Sequence, residues 1–219
     1  MWCIPEINDE YKEKMEDVLN LYSKPLNEKE PVVCMDEKPV QLLEDIRTSI
    51  FMMKDGQVLK KDCEYKRNGT ANIFGIVEPK GGRHLNYVTK SRISKEYAKA
   101  VKKISDNYPC AKTIHLVQDN LNTHSKKSII NFYGEIEGEK LYKRFTMHYT
   151  PKHASWLNQA EIELSLIGRQ CLGKRRIGEI KTLSAEVKTF SRQMNKNKSI
   201  INWKFTTKDA RKVFKYNKI

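Results

Sequence analysis

Three carboxylates stand where the chain could gather them into one centre. Asp36 follows the short apolar run Pro31-Val32-Val33-Cys34-Met35, and Asp119 follows directly on Thr113 to Gln118. Runs of this kind read as buried strands, which puts both aspartates at the rim of a sheet. There a side chain meets a substrate without leaving the rigid core. Glu161 lies on a segment from Ser155 to Cys171 in which Leu157, Ala160, Leu164, Ile167 and Cys171 recur at helical steps. It falls about 100° round from Ala160, at the margin of the apolar stripe, whereas Glu163 falls on roughly the opposite face and is the poorer candidate. Three converging carboxylates repel one another unless a cation sits among them, and Mg²⁺ characteristically uses a few carboxylates plus phosphate oxygens. Each acid also has an ordinary reading: a strand-ending turn at Asp36, an Asx turn at Asp119-Asn120, a solvated helix residue at Glu161. Among 27 acidic residues, spacing does not choose between the two readings.

The elements that must hold these residues follow from periodicity and punctuation. Tyr11, Met15, Val18, Leu19 and Tyr22 predict a helix capped by Asn8 and ended before Pro25. After the strand to Met35 and a turn at Asp55-Gly56, Thr70 to Val77 and Arg83 to Thr89 read as a hairpin around Pro79-Lys80-Gly81-Gly82. Ser94 is expected to cap a helix with Ala98, Val101 and Ile104 on one face. A helix from Ser125, broken by Gly134 and Gly138, precedes a strand from Phe145 to Tyr149. Ser155 to Cys171 reads as the best helix. Two more follow, one through Leu183, Val187, Phe190 and Met194 and one after Thr206.

Composition narrows the class of partner. With 41 basic residues against 27 acidic ones the net charge is +14, a field that concentrates polyanions at the surface. No apolar run approaches the roughly 20 residues needed to span a bilayer, and no secretory leader is visible. The five cysteines are scattered and never paired as C-x-x-C, which suits a reducing, intracellular setting better than a zinc site or disulfide framework.

The local sequences then decide between the readings. Val33-Cys34-Met35-Asp36-Glu37-Lys38-Pro39, Leu116-Val117-Gln118-Asp119-Asn120-Leu121-Asn122-Thr123-His124 and His148-Tyr149-Thr150-Pro151-Lys152-His153-Ala154-Ser155-Trp156-Leu157-Asn158-Gln159-Ala160-Glu161 occur in that order. Together they closely resemble the three catalytic blocks of bacterial insertion-sequence transposases of the mariner superfamily. The resemblance runs from Trp2-Cys3-Ile4-Pro5 to Asn202-Trp203-Lys204-Phe205-Thr206-Thr207. It implies an α/β, ribonuclease-H-like mixed sheet flanked by helices, with a helical C-terminal portion. It also implies a DDE triad in which Asp36 and Asp119 match the family's two aspartates, and Glu161 its glutamate, in a Leu-Asn-x-x-Glu context.

The same resemblance implies two Mg²⁺ ions, with Mn²⁺ able to substitute, and cleavage and strand transfer of double-stranded DNA at transposon ends and target. Two ions about 3.5–4 Å apart can clamp the attacking and leaving oxygens of an in-line displacement, so no covalent enzyme intermediate is needed. A homodimer is expected, since two ends are processed together, in the cytoplasm of a bacterium beside its nucleoid. Lys38, Asn122, His124, Lys152 and His153 are candidates to contact phosphates or orient water, each with an alternative as a capping or surface residue. Asn158, three residues before Glu161, should share its side of the helix and support it. Trp156 either stacks on a base or anchors the helix, the latter favoured. Lys174-Arg175-Arg176 offers a DNA-backbone contact or a solvated basic cluster.

Residues 1–30 are thus expected to form a helix and lead-in, 31–178 the catalytic domain, and 179–219 C-terminal helices packed on it. Transposases of this type carry helix-turn-helix domains before the catalytic domain, yet one helix precedes Asp36 here, so a partner chain supplying those domains is a further expectation. Two rival readings remain: a transposase-derived fragment that binds DNA without cutting, and a general nuclease of the same fold. The Leu-Asn-x-x-Glu and Asp-Asn-x-Asn-x-His contexts argue against the second rival.

Overall fold

The computed structural model describes residues 7–47 and 63–216; the Asp55-Gly56 turn and the Trp2-Cys3-Ile4-Pro5 segment lie outside them. Helix α1 (Asp9–Ser23) begins as expected, with the Asn8 side chain accepting the Tyr11 amide at 2.9 Å. Strand β1 (Val32–Asp45) runs well past its apolar start, because its polar second half pairs antiparallel with β2 (Tyr65–Glu78) as a long ribbon. Only Val32–Cys34 pair on the other side, in parallel, with β5 (Ile114–Gln118), which in turn pairs in parallel with β6 (Phe145–Tyr149). Strands β3 (Arg83–His84) and β4 (Tyr87–Thr89) return along β2, giving the order β3-β2-β1-β5-β6 with β4 also on β2.

Strand alternation divides the core into two layers. Val33, Met35, Phe74, Ile76, Ile114 and Leu116 face α2 (Ser94–Asn107), α3 (Lys126–Tyr133) and α4 (Glu135–Tyr142). On the opposite face Cys34, Val77 and Val117 meet α1 and the segment from Ala154 to Ala160, while Leu42, Ala71 and Ile73 meet α5 (Ala160–Leu166) and α6 (Ile180–Lys196). Helix α7 (Thr207–Phe214) starts with a capping box between Thr206 and Asp209 and buries Ala210 in the α1 layer.

Three local expectations need correction. Ser94 is the first helical residue of α2 rather than its cap; Ile93 holds that position and makes no side-chain cap bond. Gly134, at φ 83°, does divide α3 from α4, but Gly138 sits inside α4. A Cβ there would lie 2.8 Å from Ile130 Cα, so this glycine serves the close packing of two short helices. The segment from Ser155 to Cys171 is not one helix but a 3₁₀ turn (Ser155–Leu157), the short α5, and a π-helical turn (Ile167–Leu172). Among the described residues no helix is long and apolar enough to cross a membrane.

Candidate active site

Asp36 sits within β1 rather than at its end, but at the place where β1 parts from β5. Parallel pairing stops at Cys34 and Val117, and two residues further along each chain come Asp36 and Asp119. The period-2 alternation puts Asp36 on the face that carries α5, and Asp119 follows directly on the end of β5. Across the ribbon Asp36 is paired with Gly75. A Cβ on Gly75 would lie 2.7 Å from Leu164 Cγ and Cδ2, so the bare glycine lets α5 settle onto the sheet beside Asp36. Gly75→Val is expected to destabilise the fold by about 1–3 kcal/mol through overpacking and to lift α5 off the ribbon. Urea denaturation checks this, and unchanged stability would contradict the close seating of Leu164.

Asn158 fixes where α5 begins. Its side-chain amide donates to the Met35 carbonyl at 2.8 Å, one residue before Asp36, and its Oδ1 accepts the Ala160 amide at 3.1 Å. To do so Asn158 takes an extended ψ of 111°, which is why the expected long helix breaks there. Asn158 therefore does not share a helix face with Glu161 but ties β1 to the start of the helix that bears it. Glu161 itself is exposed at the start of α5.

The electrostatics join the three acids. Burial, and then the negative charges of Glu161, Asp119 and Glu37, push the Asp36 carboxyl up to about 7, against the lowering effect of the Glu37 amide, which donates to it at 2.7 Å. Asp119 is turned toward His124, whose Nδ1 lies 2.5 Å from its Oδ1. On its other side His124 Nε2 lies 2.9 Å from Glu37 Oε1, and Tyr97 stacks on the ring at 4.7 Å. Burial alone would lower the imidazole, but bonds to Asp119 and Glu37 outweigh it and hold His124 at about 9. Among the described residues no three such groups already converge tightly enough to cage an ion. The carboxylates feel one another's charge while Asp119 is engaged by His124.

Neither Glu37 nor Tyr97 stands out in the sequence as a site residue. For Glu37 a signal exists: next to Asp36 in a strand, it must point to the opposite face, where only a charged partner makes a buried carboxylate tolerable.

The remaining candidates divide. Lys152 and His153 are exposed and, with Asp119, Asn120, Lys14 and Tyr11, line a cleft of about 680 Å³ between α1 and the Thr150–Ser155 segment. His153 holds a left-handed φ of 64° in that wall. Asn122 is exposed in the loop after Asp119. Lys38 Nζ lies 3.2 Å from where a Cβ of Gly168 would stand, so it crosses the π-helical turn that follows α5. Trp156 packs edge-on against Phe205 at 5.4 Å, a core role. Lys174 is exposed, but its two neighbours are engaged within the chain: Arg175 with Glu186 at 2.8 Å, Arg176 with Asp45 at 2.7 Å and with the Glu64 carbonyl. Asp45 closes β1 some nine residues from Asp36, roughly 30 Å at strand rise, so Arg176 does not join the carboxylates.

A family model described as DDE superfamily endonuclease matches residues 31–184, more than two thirds of the chain. The chain belongs to the DDE superfamily endonucleases. The matched stretch of this DDE endonuclease contains Asp36, Asp119 and Glu161. Its fold is that of the Mos1 transposase, seen in the paired-end complex with the left transposon end at TM-score 0.57 and 11% identity, over 91% of this chain and 61% of that one. The Mos1 mariner paired-end complex with Mn gives 0.54 at 12% identity, over 91% and 65%. The Mos1 strand transfer complex gives 0.54 at 11%, again over 91% and 65%. The DDE endonuclease therefore spans less than two thirds of these Mos1 chains. No curated protein matches the sequence.

Proposed function

We propose that this DDE endonuclease is the catalytic domain of a transposase, cutting DNA and joining the freed end to a target, with Asp36, Asp119 and Glu161 as its reactive centre. The observation that carries the reading is the placement of Asp36 where β1 parts from β5, of Asp119 at the end of β5 and of Glu161 at the start of α5, which is tied to β1 beside Asp36. Three such acids suit divalent cations: burial and the neighbouring acids push Asp36 to about 7, Asp119 is partly covered and Glu161 is exposed. Mg²⁺ or Mn²⁺ ions, two by expectation, would supply Lewis-acid activation of the scissile phosphate and of the attacking water or 3′-hydroxyl. Asp36 and Glu161 would present ligands from two different layers, and the His124–Glu37 pair would hold Asp119 in orientation beside them.

The cleft beside Asp119 gives the DNA strand a path, with Lys14, Lys152 and His153 on its walls and a net charge of +14 behind them. The Mos1 structures are paired-end, transposon-end and strand-transfer complexes, which supports double-stranded DNA as the substrate class; a homodimer would let two ends be processed together. On this reading 31–178 is the catalytic unit, 1–30 its lead-in and 179–219 its helical support. Helix-turn-helix domains would select the ends, inside a bacterial cell and beside the nucleoid.

Incubation of supercoiled plasmid with Mg²⁺ or Mn²⁺, against a chelator control, tests the function. Metal-dependent nicking is expected. Salt-sensitive DNA binding without nicking in either metal would replace this reading with that of a non-cutting transposase fragment. Lys14→Ala with Lys152→Ala should weaken DNA binding similarly across sequences and flatten the log K against log[salt] slope by up to about 2, roughly 0.9 for each phosphate no longer neutralised. An unchanged slope would remove the cleft from the DNA path.

A further inference from the structure

Glu163 lies two residues beyond Glu161 on α5 and is completely buried, which an acid tolerates only with partners. Its partners come from two other parts of the chain. One carboxylate oxygen accepts from the Asn86 side-chain amide, and the other lies 3.0 Å from His84 Nδ1. Asn86 is tied in turn to β2, where its Oδ1 accepts the Ile76 amide at 2.8 Å, and to α6, where its amide donates to Ser191 Oγ at 3.1 Å. His84 Nε2 donates to the Ser199 carbonyl at 2.9 Å, and the Asn195 side chain bonds both the amide and the carbonyl of His84, at 2.7 and 2.9 Å. The chain after α6 closes over this cluster: a Cβ on Gly82 would lie 2.9 Å from the Lys198 carbonyl carbon, and the Ile201 amide donates to the Pro79 carbonyl at 2.9 Å.

Helix α5 is seven residues long and runs directly into the π-helical turn, with Ala160, Leu164 and Ile167 buried along one stripe. Leu164 on Gly75 fixes its height above the sheet, and Asn158 fixes its start. To these contacts Glu163 adds a directional polar tie, two residues from Glu161, toward His84 and Asn86. We propose that Glu163 is a positioning residue, locking α5 through His84 and Asn86 to α6 so that Glu161 is displayed toward Asp36. The network enlists Ser191, Asn195 and Ser199, all beyond residue 184 where the family match ends. Helix α6 and the turn after it thereby become part of the machinery that aims the third carboxylate. This rests on the proposed role of Glu161, but the placement of α5 is measurable without it.

Glu163→Leu, Glu163→Gln and Asn195→Ala in the full chain separate the possibilities. Gln keeps an acceptor for Asn86 and offers a donor to a neutral His84, so it should rescue what Leu loses. In metal-free protein, amides of α5 are expected to exchange at least about tenfold faster in Glu163→Leu and Asn195→Ala than in wild type or Glu163→Gln, with α2 and β5 unchanged. In nicking assays the same two variants should lose about 10- to 100-fold in kcat, the range for groups that orient metal ligands, with KM for DNA unaltered. Should Glu163→Leu fail to fold, Asn195→Ala carries the comparison. Unchanged α5 exchange in the folded variants, or a kcat loss that Glu163→Gln shares in full, would overturn the proposal. Absence of nicking in the wild type would count against the transposase reading alone, because the exchange measurement still decides the placement of α5.

Discussion

Asp36→Asn, Asp119→Asn and Glu161→Gln are each expected to lower metal-dependent nicking by on the order of a thousandfold or more, while DNA binding stays within about twofold. Each change removes one negative charge and keeps the size of the side chain, so the fold has no reason to fail. Asp36→Asn should even stabilise the metal-free protein. Its carboxyl is pushed up to about 7 in the folded chain, chiefly by burial and next by Glu161 and Asp119, so its charge opposes folding near neutral pH and the neutral amide does not. A single variant can therefore be more stable and inactive, a combination that a structural aspartate would not give. Plasmid nicking, filter binding and urea denaturation on the same preparations check the three parts. Full activity in any of the three variants would remove that residue from the centre.

His124→Ala is expected to have the largest effect on stability. Glu37 is buried against the imidazole, and deleting one partner of a buried ion pair costs about 3–5 kcal/mol, because the other charge is left stranded. The loss should depend on pH in a definite sense. His124 is held at about 9 in the folded chain, above its ordinary 6.5. A proton bound more tightly in the folded state stabilises it fully below about pH 6.5, and that contribution fades as the pH rises through about 9. It amounts to about 3 kcal/mol at most. With a chelator present, the stability gap between wild type and His124→Ala should be widest at pH 6 and narrow by pH 10. A gap that does not change with pH would mean that the imidazole is neutral between its two carboxylates. His124, a candidate phosphate contact, is buried beneath Tyr97 and engaged by Asp119 and Glu37.

Much of the fold is legible in the order of residues because strands and caps carry local signals. Asn8 caps α1, a helix starts after Ser125, and Phe145–Tyr149 is a strand within the expected bounds. What escapes the sequence is decided by contacts between distant segments. The apolar run ending at Met35 reads as a short strand, but β1 continues for ten residues in its pairing with β2, where cross-strand bonds rather than hydrophobicity set the length. The stripe from Leu157 to Cys171 has helical spacing throughout. Yet Asn158 trades helical geometry for a bond to Met35, and the turn from Ile167 widens to a π helix. Glu163 is another such case. Helical geometry correctly sets it apart from Glu161, but an acid on the far face of a helix ordinarily meets water. Here α6 and the β3–β4 connection cover it, and only the assembled network makes that tolerable. Lys174-Arg175-Arg176 reads as a basic cluster, and the ribbon end at Asp45 and the acid at Glu186 engage two of its three charges.

Anomalous X-ray diffraction from Mn²⁺-soaked crystals of the wild-type chain would locate the metal without depending on which DNA the enzyme prefers. An Mn²⁺ peak is expected about 2.0–2.5 Å from a carboxylate oxygen of Asp36 and of at least one of Asp119 and Glu161, lost in crystals of Asp36→Asn. Mn²⁺ bound elsewhere at saturation, with these three side chains left unliganded, would contradict a metal centre built from the three carboxylates.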